Sequence, residues 1–303
     1  MNAAIPDLTH KVAVVTGATG GMGQAIASDL ARAGAHVVTV ARDPARADTL
    51  RASLGAQSEH RLDVIAGDLS RRADVVTVAE IVLARYDRID ILVNNAGAHF
   101  QDHRLSPDGI EMHIALDYLA SYGLTTLLEA PLRRGRARVV NVASDTLNDT
   151  RQIKLPGQAR HPATLDLADI HDLSDLNPPN GFVPFKAYAR AKLMTVTAGY
   201  ALARQLAADG VTINALHPGI VATGIIDDLV PPLLRPLRTL IRHTLLTPAE
   251  GARSTTRLAT SPDLTGITGR YFIRDTEANT PPISHNAVVQ ERLLALSRDH
   301  FAN

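Results

Sequence analysis

The sequence of 303 residues predicts one α/β domain with a doubly wound, parallel sheet of about seven strands and helices on both faces. Two observations predict this fold class. Continuous apolar segments rich in β-branched residues alternate with helical segments, and such strands are typical of parallel sheets that are buried on both faces. The first of these strands, 12–15, also runs directly into a glycine-rich turn that precedes a helix.

The other elements follow the first strand in alternation. Strands are predicted at 12–15, 36–41, 62–66, 89–93, 138–142, 211–216 and 269–273. Helices are predicted at 24–33, at 109–129, around Tyr188, at 247–259 and at 286–298. Parallel strands bring their carboxyl ends to one edge of the sheet, where open α/β folds bind ligands. Because no linker, repeat or low-complexity segment divides the chain, we expect one domain over residues 1–303.

Composition excludes several classes of site. The chain has no cysteine, which rules out disulfides, thiolate zinc sites and a cysteine nucleophile. Its 12 histidines lack the paired spacing of a metal site, so no metal is expected. Basic and acidic residues balance at 31 each, which favours a small molecule over nucleic acid as the partner. No apolar run approaches the roughly 18 residues of a membrane span, and residues 1–11 lack a signal peptide. We therefore expect a cytoplasmic protein without a membrane anchor.

The turn TGATGGMG at residues 16–23 is a candidate cofactor site. Its glycines would let backbone N–H groups approach a pyrophosphate at the N-terminus of the following helix. An ordinary glycine-rich connection is the alternative. Arg42, just past the second strand, would hold the 2′-phosphate of NADP, whereas an acidic residue there would bind the ribose of NAD. A solvated surface arginine is the alternative for Arg42.

A tyrosine and a lysine four residues apart are the candidate catalytic pair. Tyr188 and Lys192 lie in the segment FKAYARAKL, one helical turn apart on the same face. The ammonium group would make the phenol, whose ordinary pKa is about 10, easier to deprotonate. The same spacing occurs by chance on solvated helix faces. Ser144, at the end of the fifth strand, is expected at the same edge of the sheet, although a turn serine is the alternative. Together these features predict a nicotinamide-dependent oxidoreductase.

These motifs together resemble the short-chain dehydrogenase/reductase superfamily over nearly the whole chain. The turn alone fits both the oxidoreductase and the epimerase branches, but NNAG at 94–97 and HPGIVAT at 217–223 are similar to the oxidoreductase branch. VVNVAS, FKAYARAKL and the acidic segment DLADIHDLSDL resemble the group of retinol dehydrogenases and protochlorophyllide reductases. The resemblance implies a Rossmann-type fold.

The resemblance also implies residue roles. Ser144 would polarise the substrate oxygen, Tyr188 would be the acid/base, and Lys192 would hold the nicotinamide ribose while lowering the tyrosine pKa. With Tyr188 and Lys192, the implied cofactor contacts are Gly17, Thr19, Gly20, Gly21, Met22, Gly23, Arg42, Asp68, Leu69, Asn95, Ala96, Gly97, Pro218, Gly219, Val221 and Thr223.

Asp117 departs from the family pattern. The string DYLASYGLT stands where the family commonly has a string like NHLGHFLLT, in which the asparagine helps to hold a water of the proton relay. An aspartate also accepts hydrogen bonds, but its charge would stabilise the lysine cation and partly offset the effect of Lys192 on Tyr188. An aspartate on an exposed helix face is the alternative.

Two segments are expected to shape substrate access and assembly. Residues 145–184 form a long, proline-rich insertion before the catalytic tyrosine, as in monomeric carbonyl reductases, so a monomer or weak homodimer is expected. Residues 224–246 are rich in leucine, isoleucine and proline and predict an apolar substrate lid, with a surface excursion as the alternative.

The resulting functional hypothesis is an NADPH-dependent reductase of an apolar ketone or aldehyde, such as a polycyclic or polyketide-like compound. The substrate class follows from the composition of the expected lid and from analogy with the family. The alternative is an NADP(H)-binding sensor or regulatory protein with little turnover, which the presence of Asp117 motivates.

Overall fold

A single eight-stranded sheet forms the centre of the molecule. The computed structural model describes residues 5–43, 45–54, 61–148, 163–222 and 245–302. The strands are β1 (Val12–Thr16), β2 (His36–Ala41), β3 (Leu62–Ala66), β4 (Ile91–Asn94), β5 (Arg138–Val142), β6 (Thr212–His217), β7 (Tyr271–Ile273) and β8 (Thr276–Glu277). Their order across the sheet is β3-β2-β1-β4-β5-β6-β7-β8. The first seven strands pair in parallel, and β8 pairs antiparallel with β7.

Helices cover both faces of this sheet. They are α1 (Gly21–Arg32), α2 (Arg46–Leu54), α3 (Arg72–Arg85), α4 (Ala120–Leu127), α5 (Glu129–Gly135), α6 (Pro184–Leu206), α7 (Pro248–Thr260) and α8 (Ala287–Ala302), and a π-helical turn at Ile114–Leu119 leads into α4. Strand β1 shows why two layers form: Val14 packs with residues of α3, α4, α6 and α8, whereas Ala13 and Val15 pack with residues of α1, α2 and α7. Successive side chains of a strand point to opposite faces, so the predicted doubly wound α/β fold is confirmed.

The sheet has one strand more than the sequence predicts. Strand β8 follows a turn in which Arg274 has a φ of 56°, and both of its residues, Thr276 and Glu277, are exposed. A two-residue strand on the surface carries no apolar alternation, so periodicity does not reveal it.

The helix predicted at 109–129 is interrupted. Glu111 still pairs with Leu105 as an isolated bridge, and its carboxylate accepts from the backbone N–H of His113 at 3.1 Å, near the start of the helical backbone. At the other end, α4 stops at Leu127 and α5 begins at Glu129. Pro131 explains this break, because proline lacks an N–H and its ring clashes with the carbonyl four residues earlier.

Helix α8 contacts both the π-helical turn and α4. The hydroxyl groups of Tyr118 and Ser297 lie 2.5 Å apart, and a Cβ on Gly123 would lie 2.3 Å from the ring of Phe301.

The oligomeric state of the chain, expected as a monomer or weak homodimer, stays a prediction. Within the described ranges, no helix combines the length and the apolar character that crossing a membrane requires.

Candidate functional site

The glycine-rich turn brings backbone donors to the carboxyl end of β1. Gly17 has a φ of +69°, and a Cβ on Gly23 would lie 2.2 Å from the Gly17 carbonyl oxygen, so this close approach requires glycine. Around Gly20, by contrast, an added Cβ would meet no atom within 4 Å. Helix α1 has no acidic residue in its first turn and no side-chain cap, so its first N–H groups and positive dipole end are available to an anion. This cradle fits the pyrophosphate of a dinucleotide.

Thr16 and Asn95 join the turn to the end of β4. The Thr16 hydroxyl oxygen accepts from the backbone N–H groups of Asn95 and Ala96 at 3.0 and 2.9 Å. The Asn95 side chain donates to the Thr16 carbonyl at 2.9 Å. These hydrogen bonds hold the carboxyl ends of the neighbouring strands β1 and β4 together. Thr16 was not among the predicted site residues, although it opens the motif on which that prediction depends.

The predicted catalytic residues come together at the carboxyl ends of β4 and β5. Tyr188 and Lys192 lie on the same face of α6, both buried, with the lysine Nζ 5.5 Å from the centroid of the tyrosine ring. Lys192 donates to the Val142 carbonyl at 3.2 Å. Ser144, two residues further on, is buried, and its oxygen accepts from the backbone N–H of Thr146 at 3.3 Å.

Burial dominates the acidity of Tyr188. Desolvation raises the pKa of the phenol, and the Asp117 carboxylate raises it further, whereas Lys192 and the Ser144 side chain lower it. The net direction is upward from the ordinary value. The spacing of Tyr188 and Lys192 predicts that the lysine lowers this pKa, but it does not reveal the burial of the phenol. Burial outweighs the lysine because a low-dielectric site disfavours the anion.

Asp117 is a buried partner of Lys192. Its residue exposure is 1%, and its Oδ1 lies 3.1 Å from the Lys192 Nζ and accepts from the Ala98 N–H at 3.1 Å. The alternative of an aspartate on an exposed helix face is therefore wrong. Burial raises the pKa of the Asp117 carboxyl, with Lys192 opposing it. Burial lowers the pKa of Lys192, but Asp117 and Tyr188 raise it, and the net direction is upward.

Gly97 permits this ion pair. A Cβ on Gly97 would lie 2.3 Å from the Asp117 Oδ1 and 3.1 Å from the Lys192 Nζ. The glycine of NNAG therefore leaves room for the buried carboxylate and ammonium groups to meet beneath the end of β4.

The other predicted cofactor residues lie along the same edge. Arg42 follows β2 and is exposed, and Leu69 is buried beyond β3. Asp68 precedes Leu69, and its carboxylate accepts from the backbone N–H and hydroxyl of Ser70 at 3.0 and 2.8 Å. Thr19 and Met22 belong to the glycine-rich turn, in which Met22 is buried.

The residues that follow β6 pair with the residues that lead into α7. Val221 and Leu246 form a parallel bridge. Gly219 has a φ of +96°, and a Cβ there would lie 2.6 Å from the Leu246 side chain, while Pro218 before it is buried. Thr223 and all but the last two residues of the predicted lid at 224–246 lie outside the described residues. So do residues 149–162 of the predicted insertion.

A cluster of histidines beside Tyr188 was missed by the sequence argument. The rings of His99 and His113 lie edge to face with the Tyr188 ring, at centroid distances of 5.7 and 5.9 Å. Both histidines are buried. For His99 the available signal was its position two residues after NNAG, on the loop that leaves the carboxyl end of β4, whereas His113, at the start of the following helical backbone, gives no such signal.

Known proteins are similar to this chain in sequence and fold. Residues 11–153 match the family model described as short chain dehydrogenase. Mouse retinol dehydrogenase 14 is 31% identical over 96% of this chain and 86% of that protein. Mouse polyprenol dehydrogenase is 32% identical over 96% of this chain and 84% of that protein. The crystal structure of a candidate NAD(P)-dependent gluconate 5-dehydrogenase from Beutenbergia cavernae, with NADP at low occupancy, is 25% identical. Its TM-score is 0.65, and the match covers 89% of this chain and 96% of that chain.

Proposed function

Because this chain belongs to the short-chain dehydrogenase/reductase family, we propose that it is an NADPH-dependent reductase of an apolar ketone or aldehyde, such as a polycyclic or polyketide-like compound. The family exchanges hydride between a nicotinamide cofactor and a C=O or CH–OH group. The observation that carries the proposal is the buried pair of Tyr188 and Lys192 on one face of α6, at the sheet edge that also holds Ser144.

The residues at this edge fit a nicotinamide dinucleotide. The N-terminus of α1 and the glycine-rich turn would hold the pyrophosphate, because their donors lack competing side chains. Lys192 would hold the ribose next to the nicotinamide, and Asn95, Ala96 and Gly97 would line its binding cleft. When bound, the reduced cofactor supplies the hydride that adds to the carbonyl carbon of the substrate.

The side chains of this chain would manage the charge on the substrate oxygen. Ser144 would donate a hydrogen bond to that oxygen, and Tyr188 would transfer its phenolic proton to it as negative charge develops. The Lys192 ammonium would then stabilise the tyrosinate that remains. A raised pKa of Tyr188 suits this direction of reaction, because the phenol stays protonated and ready to donate.

The Asp117 carboxylate should set the pH range of the reduction. It raises the pKa of Tyr188, so the neutral variant Asp117→Asn is expected to lower that pKa. Reduction requires protonated Tyr188, and the rate therefore falls as the pH rises through its pKa. We expect the alkaline decline of kcat/KM to move to lower pH in Asp117→Asn, measured as a pH–rate profile. A decline that stays in place or moves to higher pH would contradict this assignment.

Arg42 supports the choice of NADPH over NADH. It is exposed just after β2, where a guanidinium can bind the 2′-phosphate in two parallel hydrogen bonds. We expect NADPH oxidation with a panel of apolar aldehydes, quinones and polycyclic ketones, and slower turnover with NADH. In Arg42→Ala the KM for NADPH should rise about tenfold or more, because a charge-assisted contact is lost, while the KM for NADH should change little.

Arg51→Ala is the matched control for this experiment. Arg51 lies on α2, the helix that follows Arg42 in the chain, and it pairs with Asp48 at 3.0 Å. The Arg51→Ala variant should leave the KM for NADPH and the KM for NADH unchanged. Equal effects of Arg42→Ala on the KM for NADPH and the KM for NADH would show that Arg42 does not select between the two cofactors.

Two observations support an apolar substrate. The similar mouse proteins are named for retinol and polyprenol, which are both apolar alcohols. Ile220, beside the end of β6, is 47% exposed, and the segment that follows it is rich in leucine, isoleucine and proline. An apolar substrate would bury the exposed Ile220 side chain on binding.

The Asp117–Lys192 ion pair also favours a second candidate, an NADP(H)-binding sensor with little turnover. A lysine whose charge is already paired has less effect on the acidity of Tyr188. Tight NADPH binding without turnover of any carbonyl compound in the panel would favour the sensor. Turnover of several of them would exclude it.

A further inference from the structure

His99 is a buried side chain beside Tyr188 to which the proposed mechanism gives no role. It lies two residues after Gly97, on the loop that leaves the carboxyl end of β4. Its residue exposure is 4%, and its ring meets the Tyr188 ring edge to face with the centroids 5.7 Å apart. An imidazole therefore lies against the proposed proton donor.

Neither ring nitrogen of His99 has a hydrogen-bond partner in the part of the chain that the structure describes. Burial, with a smaller effect from His113, lowers the pKa of His99 to about 4, so the ring is neutral near neutral pH. A neutral imidazole carries one N–H donor and one acceptor nitrogen. Burying such groups without partners costs free energy, and a ligand that pairs with them recovers it.

The neighbouring His113 has its hydrogen bonds satisfied. Its Nε2 accepts from the backbone N–H of Phe100 at 3.0 Å, so Nδ1 carries the proton and donates to a Glu111 carboxylate oxygen at 2.8 Å. The other oxygen of Glu111 accepts from Asn177 at 2.8 Å. This network holds the backbone immediately after His99. His99 is therefore followed by a hydrogen-bonded backbone, while its own ring nitrogens are buried without partners among the described residues.

We propose that His99 positions the substrate by hydrogen-bonding a second substrate oxygen, so that the enzyme favours α-hydroxy ketones over the matching simple ketones. This inference rests on the proposed function of the site. The reacting oxygen takes its proton from Tyr188, whose ring contacts the His99 ring. A hydroxyl group on the carbon next to the carbonyl stays close to that point, and it can both donate to and accept from an imidazole.

The test compares benzoin with deoxybenzoin, two apolar ketones that differ only in the α-hydroxyl group. We expect the wild type to have the higher kcat/KM for benzoin. His99→Phe keeps an aromatic ring against Tyr188 but removes both nitrogens, so kcat/KM should fall about tenfold for benzoin and by less than about twofold for deoxybenzoin. The ratio of kcat/KM for benzoin to kcat/KM for deoxybenzoin is compared between the wild type and His99→Phe. This comparison isolates the contribution of the contact between His99 and the α-hydroxyl group.

Two further variants separate positioning from a structural role. His99→Gln retains a donor and an acceptor and should restore part of the preference for benzoin. His103→Phe, on the same loop but packed against Phe182, should leave both substrates unaffected. NADPH binding, followed by fluorescence titration, should match the wild type in the His99 variants, and the unfolding temperature of His99→Phe should be no lower than that of the wild type.

Each possible result either supports or overturns the proposed role of His99. An equal loss for both ketones in His99→Phe would overturn it, and so would a wild type that prefers deoxybenzoin. If His99→Phe does not fold, the wild-type preference and the His99→Gln variant decide the question. A wild type that reduces other carbonyl compounds but not benzoin overturns this inference alone. A wild type that reduces none of them overturns the proposed function as well.

Discussion

Replacing Tyr188 with phenylalanine is expected to reduce kcat/KM for carbonyl reduction by roughly 10²- to 10⁴-fold, the usual contribution of a general acid. Phenylalanine keeps the buried ring against Lys192, His99 and His113 but removes the proton that the substrate oxygen would receive. NADPH binding should change little, because the ring and the lysine both remain. Steady-state rates and a fluorescence titration with NADPH measure the two effects separately.

Tyr200→Phe is the matched control. Tyr200 lies on the same helix, α6, and is also buried, but its hydroxyl contacts Thr280 at 3.1 Å, away from Tyr188 in sequence by more than three helical turns. This variant should keep its activity. Full activity of Tyr188→Phe would refute the proposed mechanism, and loss of NADPH binding in that variant would show a structural role for the hydroxyl group.

Among the substitutions proposed for this protein, removal of Lys192 should lower the free energy of unfolding the most. Lys192→Met leaves the Asp117 carboxylate buried without its cation, and breaking a buried ion pair in this way costs about 3–5 kcal/mol of the free energy of unfolding. One oxygen of Asp117 already has no hydrogen-bond partner among the described residues. Activity should fall as well, since the cation that stabilises the tyrosinate is absent. Chemical denaturation and steady-state rates measure the two losses.

The double variant Asp117→Asn/Lys192→Met tests the cause of this loss. It removes the unpaired charge, so it should be more stable than Lys192→Met alone. Arg51→Met is the surface control, because Arg51 pairs with Asp48 at 3.0 Å while the two side chains are 41% and 72% exposed. Exposed pairs contribute about 1 kcal/mol or less. A loss in Lys192→Met no greater than in Arg51→Met would mean that the buried pair adds little.

Local patterns predicted the strands of the sheet and the position of the glycine-rich turn well. The apolar strands β1 to β7 were each predicted within about two residues of their ends, which is the usual precision of such patterns. Helix α6 carries Tyr188 and Lys192 on one face, as their spacing predicts. Periodicity failed where tertiary contacts or turns decide the backbone, at the exposed strand β8 and around the π-helical turn at Ile114–Leu119.

The electrostatics of the candidate site followed less directly from the sequence. The departure at Asp117 was visible in the string DYLASYGLT, but its burial and its contact with Lys192 were not. For the same reason, the upward direction of the Tyr188 pKa could not be predicted, because desolvation depends on every element packed around the phenol.

The α/β fold class, the glycine-rich turn and the candidate catalytic residues could thus all be predicted from the amino-acid sequence alone. These depend on spacing within a strand, a turn or a helix, which is a local property of the chain. The ion pair of Asp117 with Lys192 became visible only in the packed fold. So did the position of His99 against Tyr188, with both of its nitrogens unpaired among the described residues. Such contacts join residues that are far apart in the chain, and burial, which sets their charge and their hydrogen-bonding needs, arises only when the layers pack.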